Sequence, residues 1–356
     1  MKIDYSNCIL NVTSSIMKKF NTDSCYESLV PVDVMIKDAK HVFFVVLDGL
    51  GKNIIEKHLS ENSFIRGNIY KWINSVYPPT TVAATTAAIT GEAPGKTGWI
   101  GWHQYFEKIK KDVILFRNIA TYTNETFTVN VGKTFIPTVP FYQKFRGVSC
   151  KELFPSFREG GYKSFKDMGK EMIRISKTNE MTYTYCYWDN PDYIIHEFGI
   201  NHKKVKKVVN ELDKELYKIY NKCGNGTAII MIADHGLVDT EEIYLNEYPD
   251  LVETLEFEPS IEARTTSFKV KNSKLFEILF NKYFGRDFKL YKSEDFLKEG
   301  YLGEDYEVAR PYLLDYVSVA TGNYAFAMEK GDFVMKATHA GSTPDEIIIP
   351  LVLLKK

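Results

Sequence analysis

The sequence predicts an α/β fold, a largely parallel central sheet with helices on both faces, and three observations predict it. Three short apolar runs, residues 42–47, 183–188 and 227–233, have the length of buried strands, and each ends in acidic ligand-type residues. Between such runs lie helix-patterned segments, the clearest over 203–220, with Val205, Val208, Val209, Leu212, Leu216 and Ile219 on one stripe and Lys and Glu on the other. Strands that alternate with helices build parallel sheets, whose ligands gather at the carboxyl ends of the strands. Asp48, Asp192 and the pair Asp234-His235 fall at such ends.

Taken in order, residues 5–20 place Ile9, Leu10, Val12, Ile16, Met17 and Phe20 at near-helical spacing, which predicts a leading amphipathic helix. The first strand, 42–47, turns at Asp48-Gly49-Leu50-Gly51 into a helix of about two or three turns. A second strand over 72–77 stops at Pro78-Pro79. Thr80 and Thr81 then offer N-cap chemistry to a helix over 83–89 that ends before Thr90-Gly91. From about 95 to 180 the periodicity weakens and aromatics accumulate (Trp99, Trp102, Tyr105, Phe106, Phe127, Phe135, Phe141), so this stretch reads as an inserted β-containing cap. Such rings could stack a nucleobase, at up to ~3 kcal/mol per good contact. Aromatics in a β-insertion more often pack on one another. Sheet order resumes over 181–188, and Gly224-Asn225-Gly226 leads from the 203–220 helix into the Asp234-His235 strand. Residues from about 245 to 325 form a second insertion with a helix over 274–284. The chain closes on Thr338-His339-Ala340-Gly341-Ser342 and a strand over 347–353. The expected organisation is one α/β domain over 1–356 with the two insertions forming its cap.

Composition excludes several classes of function. The 356 residues carry a formal net charge of -1 with no block of like charge, so nothing favours a nucleic-acid polymer or an anionic membrane. The longest apolar runs, 42–47 and 347–354, fall far short of a bilayer span, and Pro350 interrupts the second. Lys2 and Asp4 stand where a secretory signal would place an apolar block, which makes a cytoplasmic protein the expectation. The five cysteines are widely spaced and odd in number, which argues for reduced thiols and against a Cys-x-x-Cys metal site. Cys186, inside a strand, reads as a small core residue.

The candidate site comprises Asp48, Thr81, Asp192, His196, Asp234 and His235 on one sheet edge, with His339 arriving by a loop. Taken singly, each has a bland reading: an Asp after a strand caps or turns, a Thr at a helix start is an N-cap, and a lone His is structural. The set points elsewhere. Asp192 and His196 are four apart, on one face of any helix that follows Pro191, where they can share a metal ion. Carboxylates and imidazoles without thiolate suit zinc, and manganese almost as well, and six groups suffice for two divalent ions. Thr81, at a helix start, faces backbone N–H groups that favour a phosphoryl group and is the candidate nucleophile.

These residues resemble the alkaline phosphatase superfamily, and within it the nucleotide pyrophosphatase/phosphodiesterase branch. Tyr187-Trp188-Asp189-Asn190-Pro191-Asp192 with His196 and Gly199 is similar to that branch's Y-W-x-x-P-D-x-x-x-H-x-x-G segment. Ala233-Asp234-His235-Gly236 and His339-Ala340-Gly341 match more widely. The resemblance covers 42–91, 181–236 and 338 to the end, and implies that Asp192, His196 and His339 hold one zinc while Asp48, Asp234 and His235 hold the other, with Thr81 as bridging nucleophile. The family's nucleophile precedes a T-G pair by nine positions, which selects Thr81 over Thr80. Implied is a two-metal phosphoester hydrolase of the phosphodiesterase or nucleotide pyrophosphatase type, working through a phospho-threonine on a small phosphate ester or nucleotide.

The branch commonly donates to a phosphate oxygen from an Asn shortly after an H-G-I-type segment downstream of the nucleophile, where this chain reads Thr97-Gly98-Trp99-Ile100-Gly101-Trp102. The Trp102 indole, backbone N–H groups or Lys96 are the candidate replacements. A cofactor-independent phosphomutase or phosphomonoesterase of the same superfamily is the enzymatic alternative, since Pro344-Asp345-Glu346 after His339 also looks like the tail of the mutases. A catalytically idle metal-binding protein is the alternative of another class, and would be expected to have lost a ligand or the nucleophile.

Overall fold

The computed structural model describes residues 1–331 and 334–356. Its centre is the first apolar run, β1 (His41–Leu47), buried along its whole length. A strand with no polar face must be covered on both sides, and β1 lies inside a six-stranded sheet. The other strands are β2 (Ile69–Asn74), β3 (Ser149–Leu153), β4 (Thr182–Trp188), β5 (Thr227–Ile232) and β6 (Ile348–Lys355), in the order β2-β6-β5-β1-β4-β3. β1 pairs in parallel with β4 and β5, and β4 with β3. The last strand is the exception, antiparallel to both β5 and β2. Register then does the positioning: Leu47 lies opposite Trp188 and Val46 opposite Ile232, so the residues after all three strands emerge together at one edge. Because β6 runs the other way, its amino end meets that same edge.

Helices flank the sheet in two groups. Ile9–Lys19 packs with Val30–Ile36 and Thr81–Thr90, while Lys203–Lys222 packs with Phe165–Ile175 and Lys52–His58. The helix Lys203–Lys222 buries Val205, Val209, Leu212, Leu216 and Ile219, the stripe expected from its periodicity. At ~1.5–3 kcal/mol for each buried side chain, packing outweighs an exposed pair such as Lys207–Glu211, worth ~0.3–0.5 kcal/mol. Replacing Leu216 by a charged residue would therefore release this helix, whereas removing Lys207 would not.

The second strand ends at Asn74, short of the expected 77, and residues 75–80 cross the edge as a loop. The two insertions meet in a single antiparallel sheet of seven strands. Phe288–Lys292, Tyr316–Ala320, Thr265–Phe268 and Ser260–Ile261 come from the later segment, and His103–Phe106, Lys111–Ile114 and Ile119–Ala120 from the earlier one. They join where Ile261 pairs with His103. Part of the 95–180 segment serves the central sheet instead, since β3 is its edge strand and Phe165–Ile175 packs on the Lys203–Lys222 helix. Trp99 and Phe106 pack with Val113 and with Val82 of the Thr81–Thr90 helix, while Phe141 joins the main core. No helix among the described residues is long and apolar enough to cross a membrane.

Candidate metal centre and nucleophile

Seven side chains expected at the sheet edge converge there. Asp48 follows β1 directly, and its main chain is held on both sides: its N–H donates to Trp188 O at 2.9 Å, and its carbonyl accepts from Asp192 N at 3.0 Å. Gly49 has φ of +72°, and a Cβ there would lie 2.8 Å from Asp192 Cβ, so only glycine lets the two acidic loops close on each other. Asp234 Oδ1 accepts from Gly49 N at 3.1 Å and from His235 N at 2.9 Å. His235 Nδ1 faces Gly236 O at 3.1 Å, which fixes the tautomer and leaves Nε2 pointing to Asp48 Oδ1 at 3.3 Å and Asp234 Oδ2 at 3.6 Å.

Thr81 is the first residue of the helix Thr81–Thr90. Its hydroxyl lies 3.1 Å from His235 Nε2 and donates to Asp48 Oδ2 at 3.4 Å. Thr80 does not cap the helix, because its hydroxyl donates to Glu262 Oε1 at 2.6 Å. The first-turn amides thus have no side-chain acceptor and remain disposed toward an anion beside Thr81.

The second group is built by a helix and a loop. Asp192 and His196 share one face of Asp192–Phe198, with His196 Nε2 at 3.2 Å from Asp192 Oδ2. His196 Nδ1 donates to Ala337 O at 2.8 Å, again leaving Nε2 for the centre. His339 follows the short strand Ala337–Thr338, which pairs with Val238–Asp239 just beyond His235. Its ring stacks on His235 at 3.8 Å between centroids, and its Nε2 lies 3.9 Å from Asp192 Oδ1.

The polar balance of this cluster fits divalent cations. Among the described residues Asp48 Oδ1, Asp192 Oδ1 and Asp234 Oδ2 are buried without hydrogen-bond partners, at a cost of ~1–3 kcal/mol each, and buried His339 Nδ1 makes no well-formed bond. Burial, then the charges of Asp234 and Asp192, push the Asp48 carboxyl well above its usual range. Burial would do the same to Asp192, but His196, His339 and His235 hold it below. Burial and the neighbouring His235 drive His339 well below the usual imidazole value. Among the described residues no Lys or Arg pairs with these three carboxylates. Ligand atoms of Asp192, His196 and His339 lie within 4.8 Å of one another, as do those of Asp48, Asp192 and His235. Asp192 stands between the two groups, where the sequence expectation had given it to one ion alone, and Asp234 adjoins the second group through His235.

Several contributors escaped sequence reasoning. Tyr187, the last but one residue of β4, donates its hydroxyl to Asp48 Oδ2. Its place in the Y-W-x-x-P-D segment was the available signal. Glu262 Oε1, which holds Thr80, also accepts from Trp102 N at 2.7 Å. That main-chain N–H is therefore already used, and Lys96 Nζ is engaged by Glu92 Oε1 at 3.0 Å, which leaves the Trp102 indole and the first-turn amides of Thr81–Thr90 as candidates for the missing phosphate donor. The Trp102 indole is edge-on to Phe116, with the Arg117 guanidinium 5.9 Å from the Trp102 ring.

Residues 42–331 match the family model described as type I phosphodiesterase / nucleotide pyrophosphatase. Among solved structures, the chain resembles murine ectonucleotide pyrophosphatase / phosphodiesterase 5 with a TM-score of 0.69 and 16% identity over 88% of each chain. The human protein of that name gives a TM-score of 0.68 at 16% identity, over 88% of this chain and 87% of that one. An inactive threonine-to-alanine form of the murine protein in complex with AMP aligns equally well, at 0.68, 16%, 88% and 87%. At that identity these structures speak for the fold alone. No curated protein matches the chain.

Proposed function

The chain belongs to the type I phosphodiesterase / nucleotide pyrophosphatase family of the alkaline phosphatase superfamily and is a hydrolase of the phosphodiesterase/pyrophosphatase type, and we propose that it cleaves small nucleotide-like phosphodiesters with Thr81 as nucleophile. The observation that carries this reading is the convergence of the Thr81 hydroxyl with Asp48 and His235 at the uncapped start of its helix. Asp192, His196 and His339 would hold one divalent ion and Asp48, Asp234 and His235 the other, with zinc favoured by the donor set and manganese second. Bound there, the ions would acidify the Thr81 hydroxyl and neutralise charge on the phosphoryl oxygens.

Everything else falls to the chain. Thr81 Oγ1 gives up its proton and attacks phosphorus as the P–O bond to the leaving group breaks, the leaving oxygen takes up a proton, and water then cleaves the Thr81–phosphoryl ester, its hydroxyl going to phosphorus and its proton restoring the Thr81 hydroxyl. The first-turn amides of the Thr81–Thr90 helix receive the non-bridging oxygens. Trp102, with the Arg117 guanidinium 5.9 Å from its ring, is the candidate to replace the family's Asn, and Phe116, about half exposed and edge-on to Trp102, offers a surface for a nucleobase. A nucleotide is favoured by the family and by the AMP bound to the murine fold neighbour. A reducing compartment is our further reading, supported by five free cysteines. Turnover of the metal-loaded protein on dinucleotides, nucleoside 5'-diphosphate esters, simple diesters and monoesters tests the proposal. Preference for the monoesters would contradict it.

A further inference from the structure

We propose that Glu346 is a positioning residue that ties the loops bearing His235 and His339 to the cap through Arg264; this rests on the metal reading above. Glu346 belongs to no expected ligand set, and both it and Arg264 are fully buried. Its main-chain carbonyl accepts from Gly236 N at 2.9 Å, one residue beyond His235. Its carboxylate accepts from Gly341 N at 2.6 Å, two residues beyond His339, and from Thr343 Oγ1 at 2.7 Å. The same carboxylate takes a two-pronged contact from Arg264, Nε to Oε1 at 2.7 Å and Nη2 to Oε2 at 2.9 Å. Arg264 in turn donates to Tyr324 O at 2.7 Å and Gly322 O at 2.9 Å, both in the second insertion. One side chain thus joins the last loop of the central domain to the cap.

His339 is the ligand that needs this grip. His196 and His235 each have Nδ1 against a main-chain carbonyl, which orients the ring directly. Among the described residues the buried Nδ1 of His339 makes no such well-formed bond, and the ring has only a loose approach to the Pro79 carbonyl, so its position leans on the backbone that carries it. That backbone is constrained: Ala340 has φ of +81°, its N–H donates to Pro79 O at 3.1 Å, and its carbonyl accepts from Thr265. A Cβ on Gly341 would lie 2.7 Å from Arg264 Nη2 and 2.8 Å from Glu346 Oε2, so glycine permits the close seat. Stability alone does not call for such a pair, since buried ion pairs can be exchanged for apolar groups of similar volume without loss. An apolar exchange here would leave the Gly341 N–H without its acceptor.

The test measures metal binding, using zinc or manganese in competition with a chromophoric chelator and the visible spectrum of the cobalt-substituted protein. Glu346→Gln should stay folded and lose 10- to 100-fold in affinity for one ion, with an altered cobalt spectrum, roughly as for other residues that orient metal ligands. The second ion should be held nearly as in the parent, because the carbonyl bond to Gly236 survives. The double variant Arg264→Met/Glu346→Leu separates packing from positioning. It should be more stable than Glu346→Gln, because no unpaired buried charge remains, and still bind that ion weakly. Parent-like affinity for both ions in either folded variant would overturn the clamp. A parent protein that takes up no divalent ion would instead contradict the metal reading, and the clamp with it.

Discussion

The two ligand groups of the edge differ in how they are held. Asp48, Asp234 and His235 sit at the ends of adjacent parallel strands, almost wholly enclosed, and their positions follow from a register fixed by seven buried residues of β1. Asp192, His196 and His339 come from a short helix and a returning loop, and their side chains keep 9–17% of their surface. The first group inherits its geometry from the core, which is dense and yields little. The second depends on long-range bonds: His196 to Ala337, Asp192 to the Asp48 carbonyl, and Arg264 to Glu346, which in turn holds Gly341. A catalytic edge can thus be rigid on one side and adjustable on the other.

Metal removal should give the largest effect and expose this difference. Exhaustive chelation is expected to take phosphodiester turnover to background, with restoration by zinc or manganese. Brief chelation, followed by elemental analysis, should strip the ion of the Asp192 group first. Equal release rates for both ions would erase the contrast. Next in size, Thr81→Ala should lower kcat by about 10³-fold or more while the melting temperature barely moves, and Thr81→Ser should retain measurable turnover. Thr80→Ala should cost more stability than catalysis, because buried Glu262 would lose a donor.

A smaller effect is expected at Tyr187, whose hydroxyl occupies Asp48 Oδ2 and leaves Oδ1 open toward the centre. Tyr187→Phe should weaken turnover by about 10-fold, within the range for residues that orient ligands, and should affect the enclosed group's ion alone. Loss of the other ion, read by elemental analysis, would show the groups to be less independent than the geometry indicates.

The smallest effect lies in the cap. Burial alone would lower the His103 imidazole, but Asp112 at 2.6 Å outweighs it and raises His103 above its usual value. A raised folded value means that the stabilisation is complete below about pH 6.5 and fades as pH climbs through that folded value. Thermal stability should therefore fall as pH rises above about 6.5, and His103→Gln should flatten that slope without altering metal content.

The same contrast explains what could be read from sequence. Apolar runs ending in Asp48 and Asp234-His235 carry both the strand and its chemistry in a few adjacent residues, and Asp192 with His196 has a spacing that one helical turn makes meaningful. Glu346 and Arg264 are 82 residues apart with no periodic signal between them, so their contact exists only through tertiary packing. The cap was legible as β-rich but not as one sheet, because Ile261 meets His103 across most of the core's own sequence. β3 was missed since Ser149, Cys150, Lys151 and Glu152 lack an apolar run, as suits an edge strand with one protected neighbour. The reversal of β6 was equally hidden: direction within a sheet is set by connections, and the apolar run reads the same either way.

The central claim is that Thr81 itself takes the phosphoryl group. Hydrolysis of a chiral phosphorothioate diester by the metal-loaded protein, with the configuration of the product determined, tests it most directly. Two in-line displacements, first by Thr81 and then by water, give net retention at phosphorus. Inversion would mean direct attack by water and would remove Thr81 from the mechanism as nucleophile.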